Sequence, residues 1–257
     1  MERIITTGND YRLDVGSVGL GVSCHLRRLS AGRKVRVVLM SNVQLIHGDC
    51  MEYMATLPDK AFELAIVDPP YFKGVANEKF YGAEVSTTGV KRLCSSSKHW
   101  DDGIPNQNYY DELVRVSKHQ IIWGCNYYTF KQPTGRIVWD KENDSSTFSN
   151  CELASISLID SVKIFRYMWN GMLQGNMANK EIRIHPTQKP VALYEWLLKN
   201  YAKQGDKILD THLGSGSSAI AADIMGFDFV GLEIDKDYYE AALDRFNRHK
   251  QQLVLEF

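Results

Sequence analysis

The stretch of sequence that decides the fold is residues 207–233, which read KILDTHLGSGSSAIAADIMGFDFVGLE. It begins with a short apolar strand that ends at Asp210, and a loop containing Gly214 and Gly216 then leads into a helix. A second apolar strand follows the helix and ends at Glu233. Because strands and helices alternate here, the sequence predicts an α/β protein with a parallel, Rossmann-like sheet.

The glycine loop in this stretch indicates a nucleotide cofactor. Gly214 and Gly216 let the backbone approach a ligand closely, and the start of the following helix exposes backbone N–H groups. Glu233, at the end of the neighbouring strand, can accept hydrogen bonds from both hydroxyls of an adenosine ribose. On its own, the loop fits NAD and S-adenosylmethionine equally well.

Asp210 affects the choice between these two cofactors. An acid at the strand end, just before the loop, repels a pyrophosphate but attracts the cationic sulfonium and amino groups of S-adenosylmethionine. Taken alone, Asp210 is explained equally well as a structural cap of the loop. A second acidic motif favours the cofactor explanation.

This second motif lies in residues 64–71, which read LAIVDPPY. The first four residues predict a buried strand that the two prolines end abruptly, and ligands bind at this edge of open α/β sheets. The Asp68 carboxylate can accept one hydrogen of an exocyclic amine, and a backbone carbonyl of Pro69 or Pro70 can accept the other. Tyr71 can stack on the flat ring that carries the amine. The activated nitrogen needs an electrophile, which the methyl group of S-adenosylmethionine provides.

Four segments together resemble the amino-methylating DNA methyltransferases. They are residues 68–71 (DPPY), 185–190 (HPTQKP), 210–217 (DTHLGSGS) and 231–235 (GLEID). Their order, with the catalytic tetrad first and the glycine loop last, is similar to the circularly permuted β-type of that family, found in bacteriophage and restriction-modification enzymes. The resemblance covers residues 43–248. It implies a mostly parallel, seven-stranded sheet, S-adenosylmethionine as cofactor, and DNA as substrate with a flipped-out target base.

The resemblance also implies which residues form the site. Those implied in catalysis are Asp68, Pro69, Pro70 and Tyr71. Those implied in cofactor binding are Asp49, Thr187, Gln188, Lys189, Asp210, Leu213, Gly214, Gly216 and Glu233. The glycine loop departs from the family pattern where Thr211 and His212 replace the common Pro and Phe. We expect an altered cofactor pocket there rather than an inactive enzyme.

Within the family, the leading Asp and final Tyr of the tetrad favour adenine N6 as the methylated atom. A leading Ser is commoner among cytosine-N4 enzymes. Cytosine N4 stays open as the alternative, because both reactions are the same amine chemistry on different rings. An NAD-dependent oxidoreductase is a distant alternative that leaves residues 68–71 unexplained, and a non-catalytic nucleic-acid-binding module leaves both motifs unexplained.

The chain is expected to divide near residue 40. Residues 1–40 show no sustained hydrophobic period and predict a poorly structured N-terminal extension, whereas residues 41–257 predict the methyltransferase domain. Within this domain, the polar residues 72–108 predict a mobile loop. That loop and residues 160–184 are candidate target-recognition segments, because both carry basic side chains that can contact DNA.

Composition gives weaker indications. The net charge of -1 does not indicate nucleic-acid binding, although a DNA enzyme can concentrate basic residues on one face. No apolar run is long enough to span a membrane, and the five scattered cysteines suit reduced thiols without metal-site spacing. We expect a cytoplasmic enzyme of a bacterial or phage-infected cell. It should bind no metal, act as a monomer or homodimer, and have a cognate restriction endonuclease as a candidate partner.

Overall fold

The computed structural model describes residues 11–18, 21–28, 41–70, 105–144, 149–170 and 173–255. The chain divides into two compact units, Met1–Val38 and Leu39–Phe257. In the first unit, strands β1 (Tyr11–Val18) and β2 (Gly21–Arg28) pair antiparallel. This pairing differs from the expectation of no regular structure over residues 1–40. The reason is visible in the sequence, because apolar and polar residues alternate over residues 11–15 as they do in strands.

The second unit is built on one sheet, for which the described residues supply eight strands. In chain order these are β3 (Val43–His47), β4 (Phe62–Val67), β5 (Ser117–Trp123), β6 (Gly135–Asp140), β7 (Cys151–Ile156), β8 (Val162–Arg166), β11 (Lys207–Asp210) and β12 (Asp228–Glu233). Across the sheet they follow the order β3-β12-β11-β4-β5-β7-β6-β8. Two very short strands, β9 (Trp169–Asn170) and β10 (Leu173–Gln174), pair with each other.

The sheet is mostly parallel, and the predicted Rossmann-like fold class is confirmed. Strands β3, β12, β11, β4 and β5 are parallel to their neighbours in this series, whereas β7 is antiparallel to both β5 and β6. The described residues give the sheet one strand more than the seven that the resemblance implied. The chain returns after β7, where Ser161 O accepts a hydrogen bond from Arg136 N at 3.1 Å, and β8 then pairs parallel with β6.

Helices cover both faces of the sheet. They are α1 (Cys50–Ala55), α2 (Gln107–Val116), α3 (Val191–Tyr201), α4 (Ser217–Met225) and α5 (Lys236–Leu255). One buried cluster joins α3, α4 and α5 to residues such as Ile66, and the other joins α1 and α2 to residues such as Val67. Successive residues of β4 therefore face opposite layers, as the two-residue period of a strand requires. Among these helices, none combines the length and the apolar character that crossing a membrane requires.

The two candidate recognition segments differ in how far the structure covers them. The mobile loop predicted over residues 72–108 lies outside the described residues as far as residue 104, and α2 already begins at Gln107. The second segment, residues 160–184, contains β8, β9 and β10. Their role in DNA recognition stays a prediction.

Candidate active site

Four acidic residues lie at the carboxyl ends of four neighbouring strands. Following the sheet order β3, β12, β11 and β4, they are Asp49, Glu233, Asp210 and Asp68. Glu233 and Asp210 end their strands, and Asp68 directly follows β4. Because neighbouring strands lie about 4.8 Å apart, the fold brings the predicted amine site beside the predicted cofactor site.

Asp68 has two differently engaged carboxylate oxygens. Its Oδ2 lies 2.5 Å from Lys189 Nζ, and the Asp68 side chain is only 14% exposed. Its Oδ1 is buried and has no hydrogen-bond partner within the described part of the chain. Burial raises the pKa of Asp68 above its usual value, and the positive charge of Lys189 opposes that rise. One oxygen of a buried carboxylate is thus held, and the other is available as an acceptor.

The remaining tetrad residues follow Asp68 at the end of β4. Pro69 is buried, and its carbonyl oxygen accepts a hydrogen bond from Tyr128 Oη at 3.1 Å. Pro70 is half-buried, and Tyr71 lies outside the described residues. The sequence did not indicate Tyr128, which reaches the tetrad from the loop after β5. The Asp68 carboxylate and the Pro69 carbonyl are two acceptors in adjacent residues, and their predicted role in binding an amine stays a prediction.

Lys189 belongs to a chain of alternating charges behind Asp68. Its Nζ lies 2.9 Å from Glu152 Oε2 as well as 2.5 Å from Asp68 Oδ2, and Glu152 Oε1 lies 2.6 Å from Lys141 Nζ. Although burial opposes the shift, the two lysine charges lower the pKa of Glu152 to about 2. The Lys189 ammonium also lies 5.4 Å from the ring centroid of Trp123. The two carboxylate charges and the two lysine charges of this network therefore sum to zero when all four groups are ionised.

The glycine loop has backbone conformations that favour glycine at two positions. Gly214 and Gly216 adopt φ angles of 54° and 73°, which favour glycine. The N–H of Gly214 donates to Glu233 Oε2 at 2.9 Å. Leu213 is buried against Gly231, where an added Cβ would lie 2.7 Å from Leu213 Cδ1. The loop is thus held against β12 before α4 begins.

Asp210 is buried beneath this loop. Its Oδ2 accepts from Ser218 Oγ at 2.6 Å, and its Oδ1 accepts from the backbone N–H of His212 at 3.0 Å. Burial raises the pKa of Asp210 to about 7, although these two hydrogen bonds lower it. The nearby charges of Asp68 and Glu233 add to the rise. Asp210 therefore caps the loop, which is the structural role considered from the sequence. A nearby cation would in addition stabilise its ionised form.

Thr211 and His212, the two residues that depart from the pattern of the resemblance, form a polar chain in which Thr211 is buried and His212 is half-buried. Thr211 Oγ1 lies 2.6 Å from Tyr109 Oη and 2.9 Å from His212 Nδ1. The Tyr109 and His212 rings meet edge-on with centroids 5.5 Å apart. Burial lowers the pKa of His212 to about 4, so the imidazole is neutral at pH 7. His212 thus places a neutral aromatic ring in the loop.

The other residues implied in cofactor binding make local structural contacts. Asp49 Oδ1 caps α1 by accepting from Met51 N at 2.6 Å. Gln188 is buried, and its side-chain Oε1 accepts from Ile184 N at 2.9 Å. Thr187 Oγ1 lies 3.1 Å from His185 Nδ1. These contacts shape the segment before α3 and leave the predicted binding roles open.

The region of Asp210, the glycine loop and Glu233, which we call the cofactor half, carries charges that suit a cationic adenosine ligand. No ion pair joins Asp210 or Glu233 to a basic side chain of the residues that the structure covers. Burial also raises the pKa of Glu233. Two buried acids without a basic partner repel a pyrophosphate and attract a sulfonium. This arrangement fits S-adenosylmethionine better than NAD.

Comparison with known proteins identifies similar sequences. A family model described as a DNA methylase matches residues 140–244. The type II methyltransferase M2.DpnII of Streptococcus pneumoniae is 23% identical over 245 residues, which cover 80% of this chain and 90% of that protein. The type II methyltransferase M2.LlaDCHI of Lactococcus lactis subsp. cremoris is 24% identical over 247 residues, with the same two coverages of 80% and 90%.

A match was also found among solved structures. The crystal structure of the M1.HpyAVI–SAM complex has 20% sequence identity and a TM-score of 0.48, and the match covers 79% of this chain and 99% of that chain. The family match begins at residue 140 and so contains Lys189, Asp210 and Glu233 but not Asp68. The two relatives extend over most of the chain.

Proposed function

This chain belongs to the amino-methylating DNA methyltransferases, and from that premise we propose that it methylates the exocyclic N6 of adenine in DNA. S-adenosylmethionine is the cofactor, as the sequence predicts, and DNA is the substrate. The choice of adenine, the roles of individual residues and the flipped-out position of the base belong to the proposal.

The observation that carries the proposal is the pair of acceptors at the end of β4. Asp68 Oδ1 is buried without a hydrogen-bond partner among the described residues, and the Pro69 carbonyl accepts one hydrogen bond while offering two lone pairs. A buried acceptor without a donor is costly, and most such groups in folded proteins find a partner. A base amine brings two hydrogens, one for each acceptor.

The chain's own residues can make that amine reactive. Hydrogen bonds to Asp68 Oδ1 and to the Pro69 carbonyl favour a pyramidal nitrogen with a localised lone pair. When bound, S-adenosylmethionine supplies the electrophilic methyl group. The Asp68 carboxylate stabilises the positive charge that the nitrogen acquires, because electrostatic interactions are strong in a buried site. Tyr71 stacks on the base and holds its ring in place.

Asp210 and Glu233 hold the cofactor in this proposal. Ionised Asp210 attracts the sulfonium and amino group, and the Glu233 carboxylate accepts from the ribose hydroxyls. Each Glu233 oxygen already accepts one backbone N–H, from Gly214 or from Asp235, and keeps a further lone pair. The cofactor contacts predicted for Asp49, Thr187, Gln188, Leu213, Gly214 and Gly216 stay predictions.

Adenine is proposed because the tetrad reads Asp-Pro-Pro-Tyr, the form that favours N6 within the family. Residues 72–108 and 160–184 are the proposed recognition segments. A cognate endonuclease and a monomeric or homodimeric state also stay predictions.

The test is to express the full chain in a host without DNA methylation and to sequence the host DNA with detection that separates N6-methyladenine from N4-methylcytosine. Methylated adenines within a short recurring motif are expected. N4-methylcytosine would overturn the choice of base. Unmodified DNA, from protein that binds S-adenosylmethionine when purified, would overturn the proposed function.

A matched pair of variants links this activity to Asp68. Asp68→Ala should abolish methylation and keep cofactor binding, measured by calorimetry. Asp59→Ala makes the same change at a side chain that is 76% exposed and should leave methylation at the wild-type level. Substantial methylation by Asp68→Ala would refute the role given to Asp68.

A further inference from the structure

Lys189 is placed to act on Asp68 rather than on the cofactor. The Lys189 side chain is 2% exposed, and its Nζ lies 2.5 Å from Asp68 Oδ2 and 2.9 Å from Glu152 Oε2. It reaches Asp68 across 121 residues of sequence, from the segment before α3 to the end of β4. The ammonium thus bridges two carboxylates, one directly after β4 and the other on β7.

This bridge has a consequence for the orientation of Asp68. Because Oδ2 is engaged by Lys189, rotation of the carboxylate would break a charge-assisted hydrogen bond, which is about twice as strong as a neutral one. Oδ1 is the oxygen left without a partner in the described part of the chain. Lys189 therefore fixes the plane of the carboxylate and the direction in which its other oxygen points toward a substrate amine.

The bridge also has a consequence for the charge of Asp68. Proton uptake by Asp68 would remove the amine acceptor at Oδ1 or weaken the contact at Oδ2. Burial raises the pKa of Asp68, and the Lys189 charge is the largest effect that lowers it. Glu152 and Lys141 complete the network, and the Lys141 ammonium, 2.6 Å from Glu152 Oε1, shares with Lys189 in stabilising the charge of Glu152.

The other groups that interact electrostatically with Asp68 come from several packed elements. Among the described residues they are Glu152 on β7, Lys141 after β6, Asp210 on β11, Tyr128 after β5 and Tyr194 on α3. The acids oppose ionisation of Asp68, and the lysines favour it. Lys189 is the cation in direct contact with the Asp68 carboxylate.

We propose that Lys189 is a positioning residue that keeps Asp68 ionised and turned with Oδ1 toward the amine of the target base. The proposal rests on the proposed methylation of an exocyclic amine and replaces the cofactor contact that the sequence predicts for Lys189. Lys189 acts through Asp68 and does not itself touch the reacting atoms.

The first experiment measures the titration of Asp68 by carbon NMR of aspartate carboxyl groups in the full chain, with the signal assigned from its loss in Asp68→Asn. In Lys189→Gln the pKa of Asp68 should rise by about 1 to 3 units, as expected for loss of an adjacent opposite charge. Lys189→Arg keeps the charge and should largely preserve the wild-type titration. Lys118→Gln, which removes a lysine that is 51% exposed, is the surface control.

The second experiment separates a positioning role from cofactor binding. In Lys189→Gln, kcat should fall by at least about tenfold, and the acid limb of the kcat/KM profile should move to higher pH by the shift seen for Asp68. The Kd of S-adenosylmethionine should stay within about twofold of wild type, a change below that of a lost charged contact. A large loss of cofactor affinity with an unchanged Asp68 titration would overturn the proposal and restore the cofactor role.

A variant one step farther away covers the case in which Lys189→Gln fails to fold. Lys141→Gln leaves Lys189 in place and frees Glu152 to compete for it, so the pKa of Asp68 should rise by less. An unchanged Asp68 titration in every folded lysine variant of the network would refute the proposal. Since the titration requires no DNA, unmethylated DNA with wild-type protein would count against the proposed function and not against the link between Lys189 and Asp68.

Discussion

The backbone N–H of Gly214 donates to Glu233 Oε2 at 2.9 Å and joins the glycine loop to the end of β12. The other carboxylate oxygen, Oε1, accepts from the N–H of Asp235 at 2.9 Å, just before α5. One buried carboxylate therefore fixes two turns of the cofactor half. In our proposal the same carboxylate also meets the ribose.

Glu233→Gln should weaken binding of S-adenosylmethionine by about 10- to 100-fold. An amide replaces one acceptor by a donor, and that donor must then face either a backbone N–H or the ribose hydroxyls. Calorimetry measures the change. Glu240→Gln makes the same substitution on α5 at a side chain that is 62% exposed and should leave the affinity unchanged. Equal affinities of Glu233→Gln and wild type would contradict the role of this carboxylate.

Binding of S-adenosylmethionine should depend on pH through Asp210. Burial raises the pKa of Asp210 to about 7, and the ionised form attracts a sulfonium more strongly than the protonated form. Affinity should therefore rise as pH increases through this value and level off above it. S-adenosylhomocysteine lacks the sulfonium charge, so the ratio of its Kd to that of S-adenosylmethionine should increase between about pH 6 and about pH 8.

The control for this pH dependence is Asp210→Asn, which cannot ionise at this position. The ratio of the two dissociation constants should then stay constant over the same pH range. If the wild-type ratio were also constant, Asp210 would have only its structural role, in which it accepts hydrogen bonds from Ser218 and His212.

The sequence predicted the parts of the site that depend on local structure. The apolar runs before Asp210 and before Asp68 are strands, and the loop with Gly214 and Gly216 adopts the positive φ angles that glycine favours. Parallel strands place their carboxyl ends at one edge, so motifs far apart in sequence could be assigned to the same site. The hydrophobic period predicts the strands, and the spacing of the glycines predicts the loop that follows one of them.

The parts that the sequence did not predict are long-range side-chain contacts. Tyr128 reaches the Pro69 carbonyl across 59 residues, and nothing in the pattern around Tyr128 distinguishes it from a core aromatic. Glu152 interrupts the apolar pattern at the start of β7, which could have marked it as a buried acid that needs a partner. Its partner could not be identified, because the pairing depends on how the segment before α3 crosses the sheet edge.

Tyr128→Phe should lower kcat by about fivefold, equivalent to ~1 kcal/mol for one hydrogen bond, while the Kd of S-adenosylmethionine stays unchanged. The substitution keeps the buried ring, which stacks on Phe130 with centroids 5.1 Å apart, and removes only the donor to the Pro69 carbonyl. That carbonyl then loses a contact that fixes its direction toward the amine. Steady-state methylation kinetics measure the effect.

The matched control for this hydroxyl is Tyr239→Phe. Tyr239 Oη donates to the carbonyl of Leu45 at 3.3 Å, so its removal deletes the same kind of hydrogen bond away from the acceptor pair. Tyr239→Phe should keep the wild-type kcat. Equal kcat values for Tyr128→Phe and wild type would show that the Pro69 carbonyl is positioned without the hydroxyl.

Arg245→Met should lower the free energy of unfolding by about 3 kcal/mol, because it leaves a mostly buried carboxylate without its cation. Arg245 Nη2 lies 2.6 Å from Glu181 Oε2, and the two side chains are 11% and 18% exposed. Its Nη1 donates to Ser215 O at 2.8 Å in the glycine loop. Burial lowers the pKa of Arg245 and raises that of Glu181, while each charge opposes the shift of the other. Without Arg245, the unfavourable free energy of burying the Glu181 charge is no longer offset, and the folded state is destabilised.

Arg248→Met on the same helix is the comparison that separates burial from helix propensity. Arg248 pairs with Asp244 at 3.1 Å, but the two side chains are 53% and 66% exposed. Loss of that pair should change the free energy of unfolding by at most about 1 kcal/mol, since exposed ion pairs contribute little. Urea unfolding of the full chain measures both variants. Equal losses would mean that the Arg245–Glu181 contact stabilises the protein no more than a surface pair. The glycine loop would then be held by the hydrogen bonds from Gly214 N to the Glu233 carboxylate and from Leu213 N to the Leu232 carbonyl.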